Sequence, residues 1–198
     1  MKLINKEVIC PVCGNKHNFK DVMSIYIKDS YLDGQPYDVN MTFGIDECPN
    51  CHYVTKDINL PVNQEIKKIV LSQEYKNDAI NLDHEYFILN SMHTLHNRCI
   101  EELFWYKRNH GMEYKDEIEK CITKKETDFK AGRINDESYL AYIDLLRQSG
   151  RFDDCKQAIE SLLNSTNNDY IKQLIDFEKI LIEKKDTNSH LHSEMSKK

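Results

Sequence analysis

The sequence predicts an α+β protein in which a small β-hairpin precedes an all-α region. Two Cys-x-x-Cys pairs and one stretch of alternating apolar residues lie within the first 60 positions. All four prolines also fall within the first 61 residues, and the 137 residues from Val62 onward contain none. Because proline is the strongest helix breaker, the second region can be continuously helical.

Composition places the chain of 198 residues among ordinary globular proteins, with 40% apolar and 30% charged residues. The formal charge of −6 disfavours a general nucleic-acid binder, which would carry a basic surplus. No stretch reaches the roughly 18 apolar residues of a membrane span, and the first residues show no secretion signal. We therefore expect a cytoplasmic protein without membrane partners.

Two period-2 patterns predict the strands of the hairpin. Large apolar residues alternate with polar or small ones from Tyr37 to Asp46, and a weaker alternation runs from about Phe19 to Lys28. Asp33-Gly34 and Pro36 mark a turn region between them. An antiparallel hairpin of these two strands would return the chain to its starting point.

This hairpin would place the two cysteine pairs side by side, so Cys10, Cys13, Cys48 and Cys51 are the candidate metal ligands. Four thiolates suit one tetrahedral, structural Zn²⁺ ion. A thioredoxin-like dithiol is the redox alternative, but neither pair opens a predicted helix. Four unligated core cysteines are a further alternative. His17 or His52 could replace one cysteine as a ligand. His52 follows Cys51 where such a turn more often carries glycine, and we expect it to lie outside the ligand set.

The cysteine pattern CPVCG and CPNCHY, followed by LLRQSGRFDDCKQAIESLL, resembles a group of uncharacterised bacterial proteins. These proteins join a CPxCG-type zinc ribbon, similar to the CpXC domain, to tetratricopeptide-like helices. The resemblance implies zinc at the four cysteines and a tetratricopeptide-like antiparallel stack, and it implies no catalytic residue. His52 departs from the glycine of the usual CPxCG pattern.

Helical periodicity and glycine stops predict six helices, at about 62–75, 84–108, 112–131, 135–149, 153–165 and 168–185. The predicted domains are a zinc ribbon at 1–60 and a helical domain at 61–185. Residues 186–198 are polar and lack periodicity, so we expect a flexible tail.

One helix pair matches a tetratricopeptide unit when Gly150 is aligned with the turn glycine of the repeat. The large apolar positions of its first helix are then Tyr139, Tyr142 and Leu146, and those of its second helix are Cys155, Ile159 and Leu162. Cys155 would stand in for the small residue at the close approach of the two helices. The neighbouring pairs fit the repeat poorly, which indicates a tetratricopeptide-like region rather than a regular array.

A second, weaker metal-site pattern occurs along the helix predicted at 84–108. His93, His96 and Cys99 are spaced by three, with His84 near the start of that helix. Residues three apart share a helix face, so two imidazoles could bind one metal, although surface or capping histidines are the simpler interpretation. We expect Cys99, Cys121 and Cys155 to lie in the core.

These patterns favour a non-enzymatic interaction protein whose zinc is structural and whose helices bind a protein or peptide. Nucleic-acid binding is the first alternative, because zinc ribbons occur in transcription and RNA-handling proteins. However, residues 1–58 hold six lysines and eight acids. A metal-dependent enzyme is the second alternative, although HExxH, phosphate-loop, dinucleotide and nucleophile-elbow motifs are absent from the sequence.

Overall fold

The computed structural model describes residues 2–24, 26–38, 46–55, 62–76 and 97–197. Antiparallel strands lie in the N-terminal part and helices follow, which confirms the α+β class. The chain divides into two compact units. We call residues 1–26 with 40–109 the cysteine unit, and residues 27–39 with 110–198 the helical unit.

The strands of the cysteine unit form two antiparallel pairs. Strand β1 (Lys2–Ile9) pairs with β2 (Lys16–Ser24), and the short β3 (Asp46–Glu47) pairs with β4 (Val54–Thr55). Each pair encloses one Cys-x-x-Cys turn. The pairing of β2 with β1 was not predicted. The predicted hairpin instead joins 19–28 to 37–46. Most of the second predicted strand, residues 39–45, lies outside the described residues.

Strand β1 has no amphipathic pattern that sequence analysis could detect. Only Val8 of its eight residues is buried, because the β1–β2 hairpin is exposed over most of its surface. Period-2 alternation arises when one face of a strand is buried.

The described helices of the cysteine unit are α1 (Gln64–Val70), α2 (Gln73–Lys76) and α3 (Asn97–Asn109). The single helix predicted at 62–75 is broken after Val70, where the Ser72 hydroxyl accepts a hydrogen bond from the Tyr75 amide, 3.2 Å away, and starts a new turn. The helix predicted at 84–108 is described only from Asn97 onward.

The helical unit contains α4 (Lys115–Lys130), α5 (Asp136–Gln148), α6 (Phe152–Ser165) and α7 (Asp169–Glu183). These bounds confirm four predicted helices to within a few residues. Helix α5 packs against α4, α6 and α7, and nine of its residues are buried. The core of this unit is therefore centred on α5.

The C-terminal residues are ordered, so the predicted flexible tail is wrong. Residues His192–Lys197 form a 3₁₀ helix. The Leu32 amide donates to the His190 carbonyl and the His192 amide donates to the Ser30 carbonyl, each over 2.9 Å. This segment lacks periodicity because backbone hydrogen bonds, rather than an apolar face, hold it in place.

The boundary predicted near residue 60 also differs from the division seen in the structure. Residues 27–39 belong to the helical unit, where Tyr31 bridges Leu191 and the Gln148 amide donates to the Asp33 carboxylate. The predicted turn is present, with the Gly34 amide donating to the Tyr31 carbonyl. Among the described helices, none has the length and apolar character needed to cross a membrane.

Candidate metal centre

The structure brings the four predicted ligands together. The sulfur atoms of Cys10, Cys13, Cys48 and Cys51 all lie within 4.8 Å of one another. The Sγ atoms of Cys10 and Cys51 are 3.6 Å apart, as are those of Cys13 and Cys48. A disulfide would require about 2.05 Å, so these are four free thiols gathered around one point.

The two cysteine turns have the same backbone hydrogen bonds, which explains how each presents two sulfurs to one side. In the first turn the Gly14 amide donates to the Cys10 carbonyl over 2.8 Å, and the Cys10 amide donates to the Asn15 carbonyl over 2.9 Å. In the second turn the His52 amide donates to the Cys48 carbonyl, and the Cys48 amide donates to the Tyr53 carbonyl, each over 2.9 Å. Each Cys-x-x-Cys sequence therefore folds locally into a knuckle.

Amide groups of the knuckles donate to the sulfurs and favour the thiolate form. Burial raises the pKa of Cys10, while hydrogen bonds from the Cys13 and Val12 amides oppose this rise. Burial likewise raises the pKa of Cys51, and a hydrogen bond from the Tyr53 amide partly opposes this rise. For Cys13, hydrogen bonds led by the Asn50 side chain outweigh burial and lower the pKa to about 6.

The geometry fits a tetrahedral metal ion. Metal–sulfur bonds of about 2.3 Å place the ligands of a regular tetrahedron about 3.8 Å apart, close to the two separations of 3.6 Å. Four thiolates this close together repel one another strongly, and a divalent cation at their centre would remove that repulsion. The donor set is soft sulfur, which suits zinc and disfavours magnesium or calcium.

Burial differs sharply among the four ligands. Cys10, Cys48 and Cys51 retain 1%, 0% and 7% of their accessible surface, whereas Cys13 is exposed. Of the four candidate ligands, Cys13 is therefore the most accessible to solvent.

A buried polar contact beside the centre was not predicted from the sequence. His17 Nε2 lies 2.9 Å from Oδ1 and 3.2 Å from Oδ2 of Asp46, and the two side chains are only 8% and 3% exposed. His17 follows the first knuckle on β2, and Asp46 precedes the second knuckle on β3. Sequence analysis considered His17 only as a possible metal ligand and did not single out Asp46.

His52 lies outside the ligand set, as predicted. Its backbone has φ +60°, a left-handed conformation that matches φ +75° at Gly14 in the first knuckle. Its exposed ring places Nδ1 2.9 Å from the Glu47 carboxylate. The Tyr75 hydroxyl donates to the His52 carbonyl over 2.6 Å, which ties α2 to the second knuckle.

The comparisons with known proteins add no relative. No protein-family model matches this chain, and no curated protein or solved structure matches it. The resemblance indicated by the cysteine and helix patterns therefore stays a prediction.

The remaining candidate residues divide into two groups. Cys121 and Cys155 are buried in the helical unit, as expected of core cysteines. The Cys155 thiol donates to the Ile143 carbonyl over 3.5 Å, and burial raises its pKa to about 12. His84, His93, His96 and the Cys99 side chain lie outside the described residues.

Proposed function

We propose that this chain is a non-enzymatic, zinc-binding interaction protein. One structural Zn²⁺ ion is held by Cys10, Cys13, Cys48 and Cys51, and the helical unit offers the surface that binds a protein or peptide. The observation that carries the proposal is the convergence of four sulfurs within 4.8 Å of one another.

A site of four thiolates suits a structural role better than a catalytic one. A catalytic zinc keeps one coordination position for water, whereas four cysteines complete the tetrahedron. A Zn²⁺ ion with four thiolates is also formally −2, which makes it a weak Lewis acid. The metal would instead join two knuckles that are far apart in sequence and stabilise the fold of the cysteine unit.

We also propose a tetratricopeptide-like arrangement for α5 and α6, and kinship with proteins that join such helices to a CPxCG-type ribbon. The turn between the two helices contains Gly150 at φ +79°. Of the six positions matched to the repeat, Tyr142 is half-buried and five are buried: Tyr139, Leu146, Cys155, Ile159 and Leu162. The hydrogen bond from Cys155 to the Ile143 carbonyl supports a close helix approach at that cysteine.

A cavity of about 300 Å³ on α4, α5 and α6 is the candidate binding surface. Three aromatic side chains line it, with Phe129 and Tyr139 edge to face at 4.8 Å and Tyr139 and Tyr142 at 5.8 Å. Phe129 is 44% exposed. The charged residues that line the cavity have no net charge, because two are acidic, Glu126 and Asp154, and two are basic, Lys130 and Arg151. Such a surface offers a partner both aromatic contacts and hydrogen-bonding groups.

Metal analysis tests the zinc assignment. Protein purified without added zinc should contain about one equivalent, and Cys48→Ser should lose it together with the folded NMR signals of β1–β4. The matched control is Cys121→Ser, which removes a buried thiol from the helical unit and should leave the zinc content unchanged. A folded, metal-free protein would contradict the assignment.

Quantitative affinity capture from the native lysate tests the binding surface. Phe129→Ala should weaken recovery of a protein partner by about tenfold or more, because exposed aromatic anchors dominate such interfaces. Ile180→Ala, at an exposed apolar residue of α7, is the matched control and should leave recovery unchanged. Recovery of nuclease-sensitive nucleic acid alone would contradict the proposal and favour the nucleic-acid alternative.

A further inference from the structure

The two knuckles have matching hydrogen bonds but unequal exposure. Cys13 and Cys51 are the second cysteines of their knuckles, yet Cys51 is only 7% exposed while Cys13 is exposed. Solvent and small reagents therefore meet the candidate metal centre first at the Cys13 sulfur.

The surroundings of the second knuckle explain this asymmetry. Tyr53 and Val54 follow it and are buried, and the Tyr75 hydroxyl of α2 donates to the His52 carbonyl. The first knuckle continues instead into the exposed β1–β2 hairpin. The Cys13 sulfur accepts hydrogen bonds from the exposed Asn50 side chain and the Asn15 amide.

We propose that Cys13 is an oxidative modification site, at which peroxide attacks the centre, and that Cys48 completes the reaction by forming a disulfide with it. Cys48 is 0% exposed, so peroxide does not reach it first, but its sulfur lies 3.6 Å from that of Cys13. The release of metal in this reaction rests on the zinc assignment proposed above. The order of attack on the four cysteines rests on exposure alone.

The chemistry balances with hydrogen peroxide as the two-electron oxidant. The Cys13 thiolate attacks one peroxide oxygen, the O–O bond breaks, and hydroxide leaves with a sulfenic acid on Cys13. The Cys48 thiolate then attacks the Cys13 sulfur, the S–O bond breaks, and a second hydroxide leaves as the disulfide forms. Two thiolates have lost two electrons and peroxide has become two hydroxides. A zinc ion held by the four cysteines would lose two of its ligands.

The product would keep the two knuckles connected. A Cys13–Cys48 disulfide joins the same two turns that the metal joins, and Cys10 and Cys51 remain 3.6 Å apart for a second bridge. Oxidation would thus replace the metal ion that joins the two knuckles with a disulfide. Thiol reductants together with zinc would reverse this change.

The experiment treats the full-length, zinc-loaded protein with hydrogen peroxide and samples it over time. Zinc content is measured before oxidation, which tests the metal assignment separately, and released zinc is followed with a chromogenic chelator. Isotope-coded alkylation then reports which cysteine is lost first. Trypsin places Cys10 and Cys13 in the peptide 7–16 and Cys48 and Cys51 in the peptide 29–56, so fragmentation of the linked peptides identifies the bridge.

We expect Cys13 to be modified first, zinc to leave in parallel, and the two peptides to become linked through Cys13 and Cys48. With zinc bound, Cys13 would already be a thiolate. Asn50→Ala removes a hydrogen bond from that sulfur and should therefore raise its nucleophilicity and speed its oxidation by about three- to tenfold. Val12→Ala, at the equivalent position of the first knuckle, is the matched control and should leave the rate unchanged. First attack at Cys10, Cys48 or Cys51, or a bridge confined to the peptide 7–16, would overturn the proposal.

Discussion

The Nε2 atom of His17 lies 2.9 Å from Oδ1 of Asp46, and both side chains are buried. The contact joins the strand that leaves the first knuckle to the strand that enters the second, across 29 residues of sequence. It is thus a direct protein link between the two halves of the candidate metal centre.

Asp46→Ala should destabilise the cysteine unit by about 2–3 kcal/mol, because it leaves the buried His17 ring without its partner. Asp46→Asn keeps an acceptor of the same shape and should cost less. The midpoint of zinc release in urea measures both effects. Glu47→Ala removes only the exposed contact with His52 and should change stability by less than about 1 kcal/mol. Equal losses for Asp46→Ala and Glu47→Ala would contradict a special role for the buried pair.

His52→Gly should stabilise the second knuckle, because glycine adopts a positive φ without the steric cost of a Cβ atom. We expect a gain of up to about 1 kcal/mol, reduced by the lost contact with Glu47. Gly14→Ala in the first knuckle should have the opposite sign, although nothing lies within 4 Å of the added Cβ. Thermal unfolding of the zinc-loaded protein measures both changes. Destabilisation by His52→Gly would mean that the Glu47 contact outweighs the backbone strain.

Chelation of the metal should unfold the cysteine unit and spare most of the helical unit. The four cysteines belong to one compact unit, and the core around α5 lies in the other. In NMR spectra recorded after metal removal, amide dispersion should be lost from β1–β4 and retained in α4–α7. Loss of dispersion throughout the chain would show that the helical unit depends on the metal.

Arg147→Met should be among the most destabilising substitutions in the helical unit, by about 3–5 kcal/mol. The guanidinium is fully buried, contacts Asp144, and donates to Glu178 over 2.9 Å. It also donates to the carbonyls of Asp186 and Asn188 over 2.6 and 2.8 Å, so hydrogen exchange should accelerate at residues 186–197. The exposed pair of Arg133 and Asp128 provides the control, and Arg133→Met should have little effect. Unchanged exchange in the C-terminal segment would contradict the anchoring role.

Glu178 should make a contribution to the stability of the helical unit that falls as the pH rises above the acidic range. Burial, together with the nearby Asp144 carboxylate, raises the pKa of Glu178 well above its ordinary value, against the opposing charge of Arg147. The folded chain therefore holds a proton that the unfolded chain releases more readily. This contribution is complete below the unfolded pKa of Glu178 and is lost as the pH rises through the folded value.

Glu178→Gln keeps the shape of that side chain and removes its ionisation. As the pH rises above the ordinary pKa of a glutamate, the variant should lose less stability than the native protein in urea titrations. Glu160→Gln, at an exposed position of α6, is the control and should follow the native curve. Parallel curves for the native protein and Glu178→Gln would contradict the raised pKa.

Some features of this protein are determined by local sequence. Helices α4 to α7 were predictable because apolar residues recur at helical spacing, and Gly132 and Gly150 follow the ends of α4 and α5. The four ligands were predictable because each Cys-x-x-Cys pair folds into its knuckle through hydrogen bonds within six residues, as in Cys10 to Asn15.

Only the tertiary structure decided how distant segments pair. The exposed strand β1 pairs with β2, the 27–39 segment belongs with the C-terminal helices, and the last residues are ordered. The buried contacts of His17 with Asp46 and of Arg147 with Glu178 likewise connect residues far apart in sequence. Such contacts form between single polar side chains or backbone amides that are brought together only by the fold. Groups of this kind leave no periodic pattern along the sequence.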